Sequence, residues 1–482
     1  MKPLTKMYFL VNLLVIIISC QSTSCSKDGG HVTPYTAPPT TPPDTTTKVV
    51  TPPSGPTYAH TYTLGTGSGN LTIDGKATSY IAHSLIVITP GNYGTINIQN
   101  LTGETIENGN GAVVMDGSSN TSAGINFTNC SNDTITRNPA AASTVPYGFT
   151  CQNNTYRPTT ISGVNQNMLF EYIAYNNIGD YTIHISDATN TQTWDGTNNT
   201  LQGQNLKFLY CSFNNCNGGP MQIDGSVTAS AVTGLQQGLE IGYCTFTNTS
   251  SGDLVFGGAV DQYSIHDNTL TNINATNNND NGLFHMIGNG NYFRNYANNY
   301  QGHVIRMWTI SFGSTPETNL VYDNVSIGSR KYSPFEWQST MGDNIASAPN
   351  TTYVNIRLNN NIGGDLNTSQ STAFDAALVD NYSMPAGSTQ EVYNNMLFNT
   401  FTSNGAAGRL FQWSSPDVET SLHGQGNMYS ANSSAAGFNE TTLSLVSNSP
   451  AYNAGVAGHL IIPTDYHNVA FIAANPTIGA IQ

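Results

Sequence analysis

Eight short apolar-x-apolar segments carry at their centre most of the residue types that could do chemistry in this chain. The central residues are His184, Gln222, Val255, His285, Arg306, Glu336, Asp375 and Gln412. Because neighbouring residues in a β-strand point to opposite faces, the apolar flanks are predicted to be core and the central residues to form one outward stripe. Histidine, arginine and glutamate at successive positions of this stripe could transfer protons and bind charged groups. Glu336 and Asp375 would supply the carboxylate pair that a hydrolase needs.

The stripe is compact if its segments stack in chain order. Neighbouring strands lie about 4.8 Å apart, so His285, Arg306 and Glu336 would span about 10 Å. Two residues further along their strands, other side chains would face outward again, namely Asp224, Trp308 and Gln338. The alternative is an ordinary solvent-facing ladder in which His, Arg and Glu satisfy one another.

A repeated pattern explains why these segments should stack. Apolar-x-x-Asn/Cys-x-apolar, or a close variant, recurs in copies that begin at Phe208, Ile241, Ile265, Val321, Ile356 and Val392. With two looser copies at Phe170 and Phe293, the steps are 24 to 38 residues. Such spacing, with period-two alternation inside each copy, is typical of a solenoid built from strands. The recurring Asn or Cys, at Cys211, Cys244, Asn268, Asn324, Asn359 and Asn395, predicts an inward ladder of side chains at a turn.

Composition favours an all-β fold and limits the partners. Only 9% of the 482 residues are charged, and sustained helical periodicity is scarce. The net charge of −15 argues against nucleic acid as a partner. Five cysteines lie beyond the N-terminal segment, an odd number in which no spacing demands a disulfide.

The N-terminus has the features of an export signal. Lys2 and Lys6 precede a short apolar run that ends in Ile17-Ile-Ser-Cys20. This resembles the lipobox of bacterial lipoproteins, which implies lipidation of Cys20; Cys25 is the competing site, and a cleaved signal peptide is the other alternative. We therefore divide the chain into a signal and anchor region (1–25), a Pro/Thr-rich linker (26–57) and a β-helix domain (58–482) with a C-terminal capping segment from about residue 440.

The repeats and the C-terminus together resemble a known family. Ser449-Pro-Ala-Tyr-Asn-Ala-Gly455 and Pro476-Thr-Ile-Gly-Ala480 are similar to the closing signature of secreted bacterial β-helix proteins. The coils resemble the right-handed parallel β-helix proteins of the pectate-lyase-like group, here as exported lipoproteins of Bacteroidetes type. The resemblance implies an all-β, right-handed parallel β-helix solenoid. It implies less about function, because this fold carries lyases, hydrolases, epimerases and adhesins.

The resemblance also suggests roles for the stripe. In uronan lyases of this fold a basic side chain removes a proton while calcium neutralises the substrate carboxylate. That analogy gives Arg306 or His285 as the base, with calcium held by Asp224 and Asp375 or Glu336. Residues expected to contact the polysaccharide are His184, Gln222, Trp308 and Gln338, with Trp308 stacked on a sugar ring. The loop around Asp280 could also bind calcium, but a plain turn is favoured, and His303 is interpreted as structural.

We therefore expect an outer-membrane lipoprotein, facing the periplasm or the cell surface, that acts on polysaccharide. A polysaccharide lyase or glycosidase is the leading hypothesis, with catalytic residues His285, Arg306 and Glu336. The alternative is a non-catalytic glycan-binding or adhesion protein. We expect a monomer that contacts the membrane only through its lipid anchor.

Overall fold

The fold is a parallel β-helix in which each full coil contributes one strand to each of three sheets. The computed structural model describes residues 57–186, 192–197, 203–274, 276, 279–339, 348–374, 376–381, 384, 387–402, 410–413, 422–423 and 425–482. Every strand pairing within the three sheets is parallel, and each strand pairs with its equivalents one coil before and after. The predicted all-β parallel β-helix is confirmed. Among these residues no helix has the length and apolarity needed to cross a membrane.

The strands follow one another in the order sheet 1, sheet 2, sheet 3. Sheet 1 contains Thr61–Leu64, Leu85–Ile88, Thr105–Asn108, Thr134–Thr136, Leu169–Glu171, Gln204–Leu209, Gln236–Gly242, Glu317–Tyr322, Val354–Asn359, Gln390–Tyr393 and Leu422–His423. Sheet 2 contains Val113–Asp116, Phe149–Gln152, Ile173–Ile178, Ser212–Cys216, Thr245–Thr247, Thr269–Ile273, Tyr296–Tyr300, Val325–Ser329, Ile362–Leu366, Met396–Thr400 and Met428–Ser430. Sheet 3 contains Gly124–Thr128, Thr159–Ser162, Ile183–Ile185, Met221–Ile223, His303–Thr309, Phe335–Ser339, Val379–Asn381 and Phe411–Trp413.

A few elements fall outside this scheme. Four long strands turn a corner and serve two sheets, namely Ser68–Asp74, Gly91–Gln99, Val255–His266 and Gly282–Phe293. Three short antiparallel pairs lie outside the sheets: Ser226–Val227 with Val232–Thr233, Ser311–Phe312 with Thr351–Thr352, and Phe438–Asn439 with Ser444–Leu445. In the part of the chain that the structure describes, the helical turns are Pro139–Ala141 and Ser433–Ala436.

The core is a column of inward side chains stacked coil on coil. Alternation along each strand sends every second residue inward, so the same column position recurs one coil later. Phe213 stacks on Tyr175 and on Phe246 with ring centroids 5.2 and 4.8 Å apart, and all three rings are buried. One coil alone could not enclose such rings, so stability depends on contact between neighbouring coils.

An asparagine ladder follows the turn between sheets 1 and 2, as the repeat predicted. In this ladder the side-chain Nδ2 of each asparagine donates to the Oδ1 of the next one, at 2.9 to 3.2 Å. The members in order are Asn268, Asn295, Asn324, Asn361, Asn395 and Asn427. Cys211 and Cys244 are buried at the same position in earlier coils. The prediction of Asn359 in this row was wrong: Asn360 takes the left-handed turn conformation (φ 57°), which places Asn361 in the ladder.

The C-terminal segment covers the outward face of sheet 2. Phe438, Ala480 and Ile481 form a second buried cluster with Ile362 and Met396 from that sheet. The cluster leaves the outward face of sheet 3, with its polar stripe, uncovered by this segment. The polar stripe predicted from sequence therefore lies on a face that this segment leaves open.

Candidate active site

The predicted stripe lies on the outward face of sheet 3. His184 is the register partner of Gln222, and farther along the same face His285 pairs with Arg306 and Arg306 with Glu336. The apolar flanks of these residues are buried in the core. The geometry therefore brings together the three side chains expected to be catalytic, on three neighbouring strands.

The predicted residue was wrong at two positions of the stripe. One prediction was off by a single residue within a strand, and the other took the wrong apolar segment for the strand. Val255 pairs with Met221 and is buried in the core, so that Phe256 takes the outward position beside Gln222. Alternation alone could not decide between two apolar residues side by side. The partner of Glu336 on the next strand is Asp380. Asp375 lies outside the described residues, and a second apolar run around Val379 supplies the strand.

Arg306 and Glu336 form the centre of a dense ionic cluster. The Arg306 Nε donates to Glu336 Oε2 at 2.6 Å, and its Nη2 donates to Asp280. His303 Nε2 lies 2.9 Å from the same Glu336 oxygen and 3.4 Å from Asp280 Oδ1. Glu336 and His303 are buried, whereas the Asp280 side chain is 48% exposed. In a chain with so few charges, this cluster is a marked concentration.

The ionic contacts keep every member of this cluster charged. Burial opposes ionisation of Glu336, but His303 and Arg306 outweigh it and lower the pKa of that carboxyl. The same two partners lower the pKa of Asp280 to about 2. The carboxylates raise the pKa of Arg306 above its already high ordinary value and that of His303 to about 9, against the effect of burial. Arg306 is therefore suited to binding an anion rather than to abstracting a proton.

His285 differs from the other members of the stripe because it stays neutral. Burial and the neighbouring Arg306 charge lower the pKa of its imidazole to about 4. Its Nε2 is buried and makes no hydrogen bond to any described residue. The ring packs edge-on against Phe256 and Trp308, at centroid distances of 5.1 and 4.6 Å. A neutral imidazole therefore stands one strand from a fixed positive charge.

Asp380 extends the cluster by one strand. It is 4% exposed, and burial raises the pKa of its carboxyl to about 6. Glu336 and Asp380 are thus adjacent carboxyls on one face, the arrangement that the sequence assigned to Glu336 and Asp375. Their strands are about 4.8 Å apart.

A cavity lies beside the stripe in the coils before His285. It has a volume of about 430 Å³ and is lined by residues from three consecutive coils, including Tyr181, Gln222, Asp253 and Phe256. Burial raises the pKa of Asp253, and the charge of Arg306 acts on it in the opposite direction. Two aromatic rings, one amide and one carboxyl match the contacts that a sugar chain makes.

His184 and Asp224 form a separate pair farther along the stripe. His184 Nε2 lies 3.1 Å from Asp224 Oδ2, and Arg157 Nη1 donates to its Nδ1 at 2.8 Å. Since arginine can only donate, Nδ1 accepts and Nε2 carries the proton. Asp224 stands in the coil of Gln222, five strand steps from Asp380. At about 4.8 Å a step, Asp224 and Asp380 cannot share one calcium ion. Asp224 is also four strand steps from Glu336, so these two predicted ligands do not fit one ion, and the predicted ligand Asp375 lies outside the described residues.

The two remaining predicted contact residues lie at the far side of the stripe. Trp308 and Gln338 are register partners and both are half-buried. Trp308 packs into a satellite apolar cluster with Trp194, Val227 and Leu235, which lie outside the three sheets. Its half-buried ring also packs against His285, which limits the surface left for the predicted stacking on a sugar.

Several residues of the site were missed or undervalued from sequence. Asp280 was interpreted as part of a plain turn, and His303 as a structural residue, yet both contact Glu336 or Arg306. Both precede the central residue of the next apolar segment by three to five positions. That offset places them at the sheet 2–sheet 3 turn, beside the stripe, and is a signal that the pattern contained. The pattern contained no such signal for Asp380, because the segment around Asp375 was predicted to form this strand instead.

Comparison with known proteins gives remote structural likenesses. No family model and no curated protein matches the chain. Pectate lyase Pel9A is similar over 88% of this chain and 97% of its own, with 13% identity and a TM-score of 0.40. A PL6 family polysaccharide lyase from Pseudopedobacter saltans is similar over 77% of this chain and 94% of its own, with 12% identity and a TM-score of 0.31. Alginate lyase AlyF-OU02 is similar over 85% of this chain and 96% of its own, with 9% identity and a TM-score of 0.30. At such distances, function has to be inferred from the residues on sheet 3 of the chain itself.

Proposed function

We propose that this protein cleaves an acidic polysaccharide by β-elimination at the His285–Arg306 pair. The observation that carries the proposal is the pairing of a neutral, unbonded imidazole nitrogen with a fixed guanidinium on the next strand. Removing a proton next to a carboxylate requires a base, and a positive charge that stabilises the developing anion. These are the two groups that the stripe places side by side.

Each residue of the cluster has its own role in the proposed β-elimination. Arg306 uses Nε and Nη2 in its ion pairs, and its remaining N–H groups can bind a sugar carboxylate. The neutral imidazole of His285 takes the proton from the carbon beside that carboxylate. The C–O bond to the leaving sugar breaks, a C=C bond forms in the ring, and the leaving oxygen takes a proton from solvent. Glu336 and Asp280 hold the guanidinium in place.

The cavity beside the stripe supplies the binding site for the rest of the sugar chain. Tyr181, Gln222 and Phe256 line the cavity, and His285 is the partner of Phe256 on the next strand. A sugar chain lying along the stripe would cross several coils, and each coil adds one set of contacts. This arrangement supports a polymeric rather than a small substrate.

Hydrolysis is the second candidate, favoured by Glu336 and Asp380. Two carboxyls on adjacent strands of one face have a strand separation close to the 5–5.5 Å that separates the carboxyls of retaining glycosidases. Glu336 is held by Arg306 and His303, which leaves it less free to act than His285. We therefore rank hydrolysis second, and non-catalytic glycan binding third.

Export and anchoring are part of the proposal. The apolar run before Cys20 supports export and lipidation at that residue, which lies outside the described part of the chain. We infer a Bacteroidetes-type outer-membrane lipoprotein, facing the periplasm or the cell surface, that acts as a monomer on external polysaccharide.

A turnover screen on polygalacturonate, alginate and a neutral glycan tests this function. New ultraviolet absorbance reports the C=C bond, and reducing ends report total cleavage. We expect absorbance that falls at least about 100-fold in His285→Gln, the range typical of a lost general base. His266→Gln is the matched control, a buried histidine outside sheet 3 with its own carboxylate partners.

Each other outcome contradicts the proposal in a distinct way. Reducing ends without absorbance would favour the Glu336–Asp380 pair. Binding without either signal would favour a glycan-binding protein. Absorbance unchanged in His285→Gln would remove His285 as the base.

A further inference from the structure

Three potential metal ligands from successive coils converge at one edge of the ionic cluster. Asp280 precedes the strand Gly282–Phe293, His303 begins the next strand of sheet 3, and Glu336 lies in the one after. One ligand atom from each lies within 4.8 Å of the other two. The convergence arises from the β-helix, because the three residues are 23 and 33 positions apart in the chain.

The orientation of His303 is fixed by its other nitrogen. Nδ1 lies 2.7 Å from the backbone oxygen of Ser333, and a carbonyl oxygen only accepts, so Nδ1 carries a proton. This contact turns Nε2 toward Glu336 and Asp280. An imidazole held through Nδ1–H to a carbonyl, with Nε2 facing carboxylates, is the usual arrangement of a metal-binding histidine.

Nε2 of His303 has no satisfactory hydrogen bond. It lies close to Glu336 Oε2 and Asp280 Oδ1, yet neither contact has hydrogen-bonding geometry, and the side chain is 1% exposed. Nε2 carries a proton while His303 is charged, and a bound metal ion would replace that proton. A buried polar atom left in this way calls for a further ligand.

We propose that Asp280, His303 and Glu336 bind a divalent transition-metal ion of the Zn²⁺ class. One imidazole nitrogen and two carboxylate oxygens form a donor set that suits Zn²⁺ and leaves a fourth position for water or substrate. Calcium prefers six to eight oxygen ligands, which these residues do not provide. The site shares Glu336 and Asp280 with the calcium sites considered from sequence, but it adds His303 and a different class of metal, and it does not depend on the proposed β-elimination.

Arg306 is compatible with the ion and limits its affinity. Its bonds use Glu336 Oε2 and one Asp280 oxygen, and an ionised carboxylate offers about four acceptor positions. The guanidinium orients both acids but repels a second cation. A ligated metal therefore shares the carboxylates with Arg306.

A second cluster of the same composition shows what distinguishes this one. His266 also lies between two acids, but its Nδ1 is bonded to Asp267 at 2.8 Å and its Nε2 to Glu240 at 3.1 Å. Both ring nitrogens of His266 therefore already have hydrogen-bond partners. His266 is therefore the matched control.

Metal titration of the full-length protein, without a histidine tag and stripped with chelator, tests the site. Calorimetry with Zn²⁺ should give one site per chain, and Co²⁺ should add visible absorption typical of a protein-bound ion. We expect the affinity to fall at least about tenfold in His303→Gln and in Asp280→Asn, and to stay unchanged in His266→Gln. Because the Asp280 side chain is half exposed, Asp280→Asn tests the site even if His303→Gln fails to fold.

The proposal is overturned if neither Zn²⁺ nor Co²⁺ titrates a site, or if Asp280→Asn leaves the titration unchanged. Tighter binding of Ca²⁺ than of Zn²⁺ at these residues would overturn the assigned class of metal. The readout is binding alone, so failure of the proposed lyase activity would leave this result standing.

Discussion

Arg306 and Glu336 are direct register partners on adjacent strands of sheet 3, joined by a 2.6 Å hydrogen bond from Nε to Oε2. Glu336 is 2% exposed, so its charge depends on protein partners rather than on water. The pair therefore has a structural role in addition to the role in binding proposed for Arg306.

Removing Arg306 should destabilise the β-helix. Arg306→Ala leaves the buried Glu336 carboxylate with only His303 for compensation, and loss of one partner of a buried pair costs about 3–5 kcal/mol. Arg306→Lys should recover part of the loss, because it keeps the charge but not the planar pair of donors. Denaturant unfolding measures both variants, with Arg357→Ala, from an exposed pair with Glu391, as control. A loss below about 1 kcal/mol in Arg306→Ala would contradict this view.

The inner asparagine ladder should contribute more to stability than asparagines on the surface. Asn324 is fully buried and bonds to the backbone and to the amides of the coils on either side. Asn324→Ala leaves several of these groups unsatisfied, each at about 1–3 kcal/mol. Asn97→Ala, which removes one half-exposed amide pair with Asn126, should cost less than about 1 kcal/mol. Equal losses in the melting temperature would be inconsistent with an inner ladder that stabilises the coils.

The pair Glu104–Asp133 should make stability fall as pH rises. Burial and the neighbouring Glu104 raise the pKa of Asp133 to about 7, whereas an unfolded aspartate titrates near 3.9. The folded state therefore holds its proton more tightly. This stabilisation is complete below about pH 4 and is lost as pH rises through about 7.

Asp133→Asn should flatten that pH dependence. The amide is neutral at every pH, so the stability lost by the wild type between about pH 4 and 8, at least about 1 kcal/mol, should largely disappear. Denaturant midpoints across this range measure the slope, with Asp195→Asn, an exposed acid, as control. Parallel curves for wild type and Asp133→Asn would show that this acid does not carry the effect.

Gln222 should contribute to glycan binding in the cavity beside the stripe. Loss of one hydrogen bond costs about 1 kcal/mol, so Gln222→Ala should weaken affinity about fivefold. Gln152→Ala, on sheet 2 and bonded to Asp116, should bind normally. Affinity electrophoresis in gels containing the substrate glycan compares the two. Equal retardation of wild type and Gln222→Ala would place the sugar elsewhere.

Strand alternation and the repeat were enough to predict the fold and most of the stripe. Both are local properties: apolar flanks point inward wherever a strand forms, and an asparagine that recurs at a turn stacks on its equivalents. His285, Arg306 and Glu336 were predicted on one face for this reason, and the register confirms that placement. The prediction failed at Val255, because its neighbour Phe256 is also apolar. Alternation alone then does not show which of the two side chains faces outward.

Contacts across coils could be decided only by the tertiary structure. The loop lengths between strands set which segment enters sheet 3, so Asp380 rather than Asp375 is the partner of Glu336. They also bring Asp280 and His303 from turns onto the flank of Arg306. Side-chain charge and burial then determine that His285 is neutral and His303 charged, although the two are the same residue type. Sequence determined the faces of the strands, because alternation is local; the structure decided which groups meet, because that depends on the path of every loop.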